Sequence, residues 1–162
     1  VSKWDFDNQG FAQADTYFDG AGWFDGNFEP SSTTVEPGEG FFVNIPAGSG
    51  QTVVTLVGDV VGAGPVPLTI RGPGFGLYAN PIPAATGLGD SGFPASDNAT
   101  YQTFDAVGNS YSQADTYFEG AGWFDGNFEP ANPTPAVGQG FLYNNTGGDA
   151  DWTQDFDPNA GE

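Results

Sequence analysis

The sequence has no cysteine, no histidine and no methionine, and its only basic residues are Lys3 and Arg71. Each absence excludes a chemistry. Without Cys there is neither a disulfide framework nor a thiolate metal site. Without His, the His-dependent triad, imidazole metal sites and histidine haem ligation are ruled out. Lys3 stands outside any Gly-rich phosphate loop, so nucleotide-phosphate chemistry of that kind falls as well. Long apolar runs are also missing. The best, Val53 to Val66, is interrupted by Asp59 and several Gly, whereas a membrane-crossing helix needs about 18–20 apolar residues. A chain that starts at Val1 and contains no Met resembles the mature product of signal-peptide removal. The expected location is extracellular or at a cell surface.

Acid is abundant. Twenty-one Asp and Glu residues give a formal charge of −19, a field that repels nucleic acid and anionic lipid. Two readings of that acidity stay open: a solvated surface suited to salty surroundings, or carboxylates that hold a divalent cation. Aromatic residues make up 15% of the chain, and each can bury about 150–250 Å², enough to build a core. With 26 Gly and 13 Pro punctuating it, the chain reads as short strands joined by tight turns.

The strongest pattern is a repeat at an offset of 100 residues. Gln13 to Pro30 reads QADTYFDGAGWFDGNFEP, and Gln113 to Pro130 differs from it only in Glu119 for Asp19. Outside this block the match thins to Asp5/Asp105, the aromatic pairs Trp4/Phe104 and Phe11/Tyr111, and the Gly-x-Gly-Phe segments at 38–41 and 138–141. Turn geometry accounts for shared Gly, Asp and Asn, and packing for shared aromatics. Neither accounts for Gln13, Thr16 and Glu29, which leaves room for a surface presented twice.

Several short motifs occur in order: Trp4-Asp5, Tyr17-Phe18-Asp19-Gly20-Ala21-Gly22-Trp23, Pro37-Gly38-Glu39-Gly40-Phe41-Phe42-Val43-Asn44, Val57-Gly58-Asp59-Val60, Asn80-Pro81-Ile82-Pro83 and Gly92-Phe93-Pro94. In this order the chain resembles the duplicated, sorting-signal-associated secreted proteins of planctomycete and verrucomicrobial type bacteria. The resemblance implies export and a β-rich duplicated fold. It carries over no catalytic residue.

An all-β fold is expected, with two similar β units packed as a sandwich or barrel-like body. The units are residues 1–58 and 100–162, joined by a packed, Gly/Pro-rich β connector at 59–99. Strands are expected at Lys3–Phe6, Ala12–Phe18, Gly40–Ile45, Thr52–Val57, Leu68–Ile70, Phe75–Ala79, Thr100–Asp105, Ser112–Phe118, Gly140–Asn144 and Asp151–Phe156. Ala84–Leu88 offers at most one helical turn. In the repeat, Asp19-Gly20 and Asp25-Gly26 read as turn dipeptides with Gly at positive φ. Tyr17, Phe18, Trp23, Phe24 and Phe28 then come together, mostly as core.

Candidate sites follow from side-chain chemistry. Trp23 and Trp123, flanked by Asp25/Asn27 and Asp125/Asn127, have the stacking face and hydroxyl partners that a polysaccharide needs. The same residues would serve equally as an interface between copies of the chain. Asp5-Phe6-Asp7-Asn8-Gln9-Gly10 imitates the opening of a calcium loop, but Thr16 occupies the place of the bidentate Glu, so it is no EF-hand. Asp19/Asp25 or Asp149/Asp151 could instead hold calcium in another geometry. Asn98 and Asn144 begin Asn-x-Thr acceptor tripeptides for glycans. Catalysis would have to rest on paired carboxylates without an evident cleft, and the chain is read as non-enzymatic. The expected role is a self-assembling extracellular structural subunit, with a carbohydrate-binding or adhesive module as the alternative.

Overall fold

Residues 1–49 and 62–157 are described by a computed structural model, in which every regular element is a strand and none is a helix. The first part of the chain holds β1 (Ser2–Asp5), β2 (Gly10–Phe11), β3 (Thr16–Phe18), β4 (Gly22–Phe24) and β5 (Phe41–Phe42). Next come β6 (Gly64–Ile70) and β7 (Gly74–Ala79). The last part holds β8 (Thr100–Asp105), β9 (Ser110–Tyr111), β10 (Asp115–Phe118), β11 (Gly122–Phe124), β12 (Pro130–Ala131), β13 (Gly140–Asn145) and β14 (Ala150–Phe156). The all-β class expected from the sequence is what the molecule has. The strand expected at Thr52–Val57 lies outside the described residues.

The two copies of the repeat share their register. Tyr17 faces Trp23 as Tyr117 faces Trp123, and Phe18 faces Gly22 as Phe118 faces Gly122. The likeness extends beyond the near-identical block: Lys3 pairs with Phe41 as Thr103 pairs with Phe141, and Trp4 with Phe11 as Phe104 with Tyr111. Positions with no side-chain identity therefore keep equivalent partners. Backbone pairing needs only the alternation of sheet residues, not their identity.

Yet the sheets differ in continuity. In the later part, strands run β12-β11-β10-β8-β13-β7 as one antiparallel sheet. In the first part the equivalent sheet is split into β2-β1-β5 and an isolated β3-β4 hairpin. The mutual backbone bonds of Val1 and Asp15, 2.7 and 2.9 Å long, link the two pieces.

Residues of the 59–99 segment are built into these sheets. β7 is the edge partner of β13 through six residue pairs. Its other side receives the first part of the chain, where Gly40 N–H donates to Leu77 O and Ala79 N–H to Gly38 O. Gln9 clamps the main chain of Phe75, accepting from its N–H at 2.7 Å while donating to its carbonyl at 3.2 Å. β6 pairs along its full length with β14 as a separate two-stranded sheet. It begins earlier than the expected Leu68–Ile70 because Pro65 and Pro67 are accommodated on its open side, where a missing N–H costs no ladder bond.

Other boundaries moved for local reasons. Residues 12–15 leave the strand so that the Gln13 side chain can lie against Gly26; a Cβ built on Gly26 would sit 1.7 Å from Gln13 Nε2. Gln113 and Gly126 repeat the arrangement at 1.9 Å. No helical turn forms at Ala84–Leu88. Pro81 and Pro83 remove amides there, Ala84 O accepts from Asn80 Nδ2, and Leu88 N–H turns away to Pro133 O.

The core is aromatic and lies mainly under the long sheet. Phe93 sits at its centre, edge-on to Tyr143 at 4.9 Å and Trp152 at 5.0 Å between ring centroids. Ile70, Leu88, Ala99, Tyr101, Trp123 and Phe141 close around it. Polar atoms in this core are paired. Trp152 Nε1 donates to Ser91 O, the Tyr143 hydroxyl accepts from Ser96 N–H, and the Tyr78 hydroxyl from Arg71 N–H. Buried Asn145 donates to Arg71 O and Gly148 O and accepts from Ser96 Oγ and Gly147 N–H. Among the described residues no buried side-chain polar atom lacks a partner, as low-dielectric burial demands.

Candidate functional site: the paired aromatic hairpins

Each copy of the repeat makes one hairpin and one tight loop. In the hairpin turn, Gly20 and Gly120 have φ of 75° and 76°, and Gly22 and Gly122 have 101° and 95°. These are conformations that glycine adopts without steric cost. The Asp25-Gly26 loop works differently from the expected Asp-Gly turn. Its left-handed residue is Phe28, at φ 62°, and Phe128 repeats this at 60°. Gly26 is needed for space beneath Gln13, not for its φ. The retention of Gln13 in both copies now has a physical reason.

Asp25 holds that loop closed. Its Oδ1 accepts from Asn27 N–H at 2.8 Å and Glu29 N–H at 2.9 Å, and its backbone exchanges bonds with Phe28 and Glu29. Asp125 makes the same set at 2.8 and 3.0 Å. These bonds, first from Glu129 N–H and then from Asn127 N–H, hold the Asp125 carboxyl below its ordinary range. The loop tip consequently pushes Phe28 and Phe128 into solvent, each about three-quarters exposed. Aromatic clustering alone gives no signal for these two. The shared Glu29 and Glu129, whose amides complete the loop, were the available hint.

Alternation across the hairpin separates two faces. Tyr17 and Trp23 share one, with rings 5.4 Å apart, matched by Tyr117 and Trp123 at 5.4 Å. Phe18 and Phe24 share the other, matched by Phe118 and Phe124. The copies part company in burial. Trp123 is 4% exposed, packed with Tyr101 and Tyr143, whereas Trp23 is 39% exposed. The expectation that most of these aromatics form core therefore fails for the first copy, where Tyr17, Phe18, Trp23 and Phe28 are all exposed. Nothing among the described residues pairs with β3 on its far side.

The same split appears in the acids. Asp15 accepts from Ser31 Oγ, and this hydroxyl, followed by Thr33, holds its carboxyl below the usual range. In the second copy Ala131 replaces Ser31. Burial first, and the charge of Asp125 second, push Asp115 upward. Asp115 and Asp125 lie with Gln113, Tyr101 and Asn132 on an open groove of about 430 Å³.

Comparison with family models, curated proteins and solved structures finds no significant match for this chain.

The remaining candidates are dispersed. Asp149 Oδ1 accepts from Gly72 N–H at the β6–β7 junction, and Asp151 Oδ1 from Thr69 Oγ1 across the β14–β6 ladder. Asp19 stands in the hairpin turn. Among the described residues no three acidic side chains converge in a way suited to a metal ion. Asn98 is exposed at φ 60°, its side chain donating to Asp97 Oδ2. Asn144 is half-buried on β13, between Phe75 and Thr100. Asp5, at the start of the loop that imitates a calcium site, accepts from Asn8 Nδ2 and N–H, and that side-chain bond lowers its pKa. Both cations of the chain are engaged: Lys3 with Glu39 at 2.6 Å, and Arg71 with Asp7 at 2.7 Å while lying over the Phe6 ring.

Proposed function

We propose that this chain is an exported structural subunit that associates with copies of itself to build a filament, matrix or surface layer. The observation that carries the reading is the aromatic surface of the first copy, with Tyr17 and Trp23 exposed together on one face of an open hairpin and Phe18 and Phe28 exposed together on the other. Contiguous exposed apolar surface marks an interaction site, and an unpaired strand edge invites pairing with another chain. The charge of −19 opposes self-association, so assembly is expected to need salt or divalent ions that shorten the screening length. Sedimentation and electron microscopy, with calcium and with chelator, test this. Polymers that grow with ionic strength support it, and a strict monomer under every condition overturns it.

Carbohydrate binding is the second reading, favoured by the exposed Trp23–Tyr17 pair. It now rests on the first copy alone, since the ring of Trp123 is covered and Asp25 is committed to its own loop. A saturable tryptophan-fluorescence change with a polysaccharide, lost in Trp23→Ala and without polymer formation, would favour this reading over assembly.

A further inference from the structure

The two copies of the repeat differ at one place where each carries a pair of aspartates. In the first copy, polar groups of the chain meet there. Ser31 Oγ donates to Asp15 Oδ2 at 2.6 Å. The Lys3 ammonium, whose charge also reaches Asp15, donates to Thr34 O at 2.9 Å and pairs with Glu39 Oε1 at 2.6 Å. In the second copy all three side chains are exchanged, Ser31 for Ala131, Lys3 for Thr103 and Glu39 for Gln139, while both aspartates are kept as Asp115 and Asp125. At that place lies the open groove of about 430 Å³, lined by these five residues together with Tyr101.

The groove leaves polar groups unpaired. Asp115 is half-buried, and its carboxylate accepts no hydrogen bond among the described residues. Tyr101 stands opposite it in the ladder, 6% exposed, with its ring packed on Trp123 and Phe141. The Tyr101 hydroxyl has no partner among the described residues either. Since no fully buried polar side-chain atom there goes unpaired, this hydroxyl keeps its opening to solvent, and the groove is where Tyr101 has one. Gln139 commits its Oε1 to Ala136 N–H at 2.9 Å, which leaves its amide donors for the groove. Half-buried polar groups without partners cost free energy that a hydrogen-bonding ligand recovers.

We propose that this groove binds a neutral polyhydroxylated ligand, a sugar residue of a saccharide. One sugar hydroxyl donates to Asp115, as Ser31 Oγ does to Asp15. Others exchange hydrogen bonds with the Tyr101 and Thr103 hydroxyls and accept from the Gln139 amide, a mixture of donors and acceptors that suits a polyol. Charge selects against the other ligand classes. Anions are repelled by the two carboxylates and by the field of a chain at −19. A cation lacks its anchor, because the first copy holds its ammonium on Glu39 and the second has the uncharged Gln139 in that position. Asp125 is already committed, its Oδ1 accepting from Asn127 and Glu129 N–H. The site uses no residue of the first hairpin, so it stands apart from both the association surface and the Trp23–Tyr17 pair.

The probes are the methyl glycosides of glucose, galactose, mannose and N-acetylglucosamine at millimolar concentrations, with n-butylammonium as the cationic control. They are added to the full chain at low salt, and carboxyl and aromatic signals are followed by carbon-detected NMR. The expected result is a saturable movement of the Asp115 carboxyl and Tyr101 ring signals with at least one glycoside, while Asp15, already bonded to Ser31, stays still. Ala131→Ser returns the first copy's hydroxyl to the groove. It should lower the Asp115 pKa towards that of Asp15 and weaken glycoside binding at least about fivefold, the equivalent of one hydrogen bond. Thr103→Lys combined with Gln139→Glu installs the first copy's ion pair and should weaken binding likewise. No response of Asp115 and Tyr101 to any of the glycosides overturns the inference, and so does undiminished binding in both variants. A larger saturable response to n-butylammonium than to the glycosides overturns the assignment to a neutral ligand. Glycoside-induced movement at the Trp23 indole with Asp115 unmoved overturns the groove and supports the second reading of function instead.

Discussion

Replacing tryptophan by alanine at equivalent points of the repeat, Trp23→Ala and Trp123→Ala, should give very different losses of stability. The flanking residues, the hairpin register and the ring 5.4 Å away are the same in both copies. What differs is cover: 39% exposure for Trp23 and 4% for Trp123. About a third of the ring's surface separates them, roughly 80 Å² of the 150–250 Å² that a large aromatic can bury. At about 25 cal/mol per Å² this is ~2 kcal/mol. Trp123→Ala also leaves a cavity beside Tyr101 and Tyr143, and buried Trp-to-Ala changes fall at about 3–5 kcal/mol. Trp23→Ala leaves no enclosed void, so about 1–2 kcal/mol is expected. Urea unfolding followed by far-ultraviolet circular dichroism checks this through the midpoint at constant slope, and melting temperatures should separate by about 4–8 °C. Equal losses, or a larger loss for Trp23→Ala, would refute the claim that the first hairpin is uncovered.

Three further outcomes follow from local geometry. Gly126→Ala should destabilise by about 1–3 kcal/mol, since its Cβ would overlap the Gln113 side chain; Gln113→Ala combined with it should recover most of that loss in a double-mutant cycle. The two equivalent aspartates should titrate in opposite directions by carbon-detected NMR. Asp15, with a lowered pKa, contributes stability above the ordinary carboxylate value that is lost as pH falls through its folded pKa. Asp115, with a raised pKa, makes the fold less stable as pH climbs from the ordinary value through its folded one, so Asp115→Asn should be neutral or stabilising at pH 7. Tyr101, pushed up to about 12 by burial and then by the Asp115 charge, should stay protonated at pH 11 while the protein is folded, and ultraviolet titration should show it ionising only with unfolding.

Short-range chemistry was readable in advance, and the environment of each copy was not. Asp19-Gly20 announced its turn, since glycine enters that backbone region freely, whereas the positive φ of Gly22 was not read from the sequence. The Gln13–Gly26 contact left a trace as an unexplained identity. Its meaning needed three dimensions, because a side chain resting on a glycine thirteen positions later has no sequence period. Phe28 at positive φ ran against residue preference, since a left-handed backbone costs a bulky L-residue about 1–2 kcal/mol. The carboxylate of Asp25, bonding two amides of the loop, offsets that cost. The burial of Trp123 was illegible for a different reason. It depends on Leu88, Phe93 and Ala99, which lie outside the repeated block and so leave no trace in its pattern.

That asymmetry separates two causes that a repeat ordinarily confounds. If aromatic identity in the block served only the core, the exposed copy would be free to lose Tyr17, Phe18 and Trp23, and each would gain solubility by doing so. The exposed copy instead keeps them all, along with Phe28 at a strained and solvated tip. Packing among the described residues explains Trp123 and not Trp23. The association surface proposed above supplies what packing among the described residues does not, a reason for the first block to stay so close to the second.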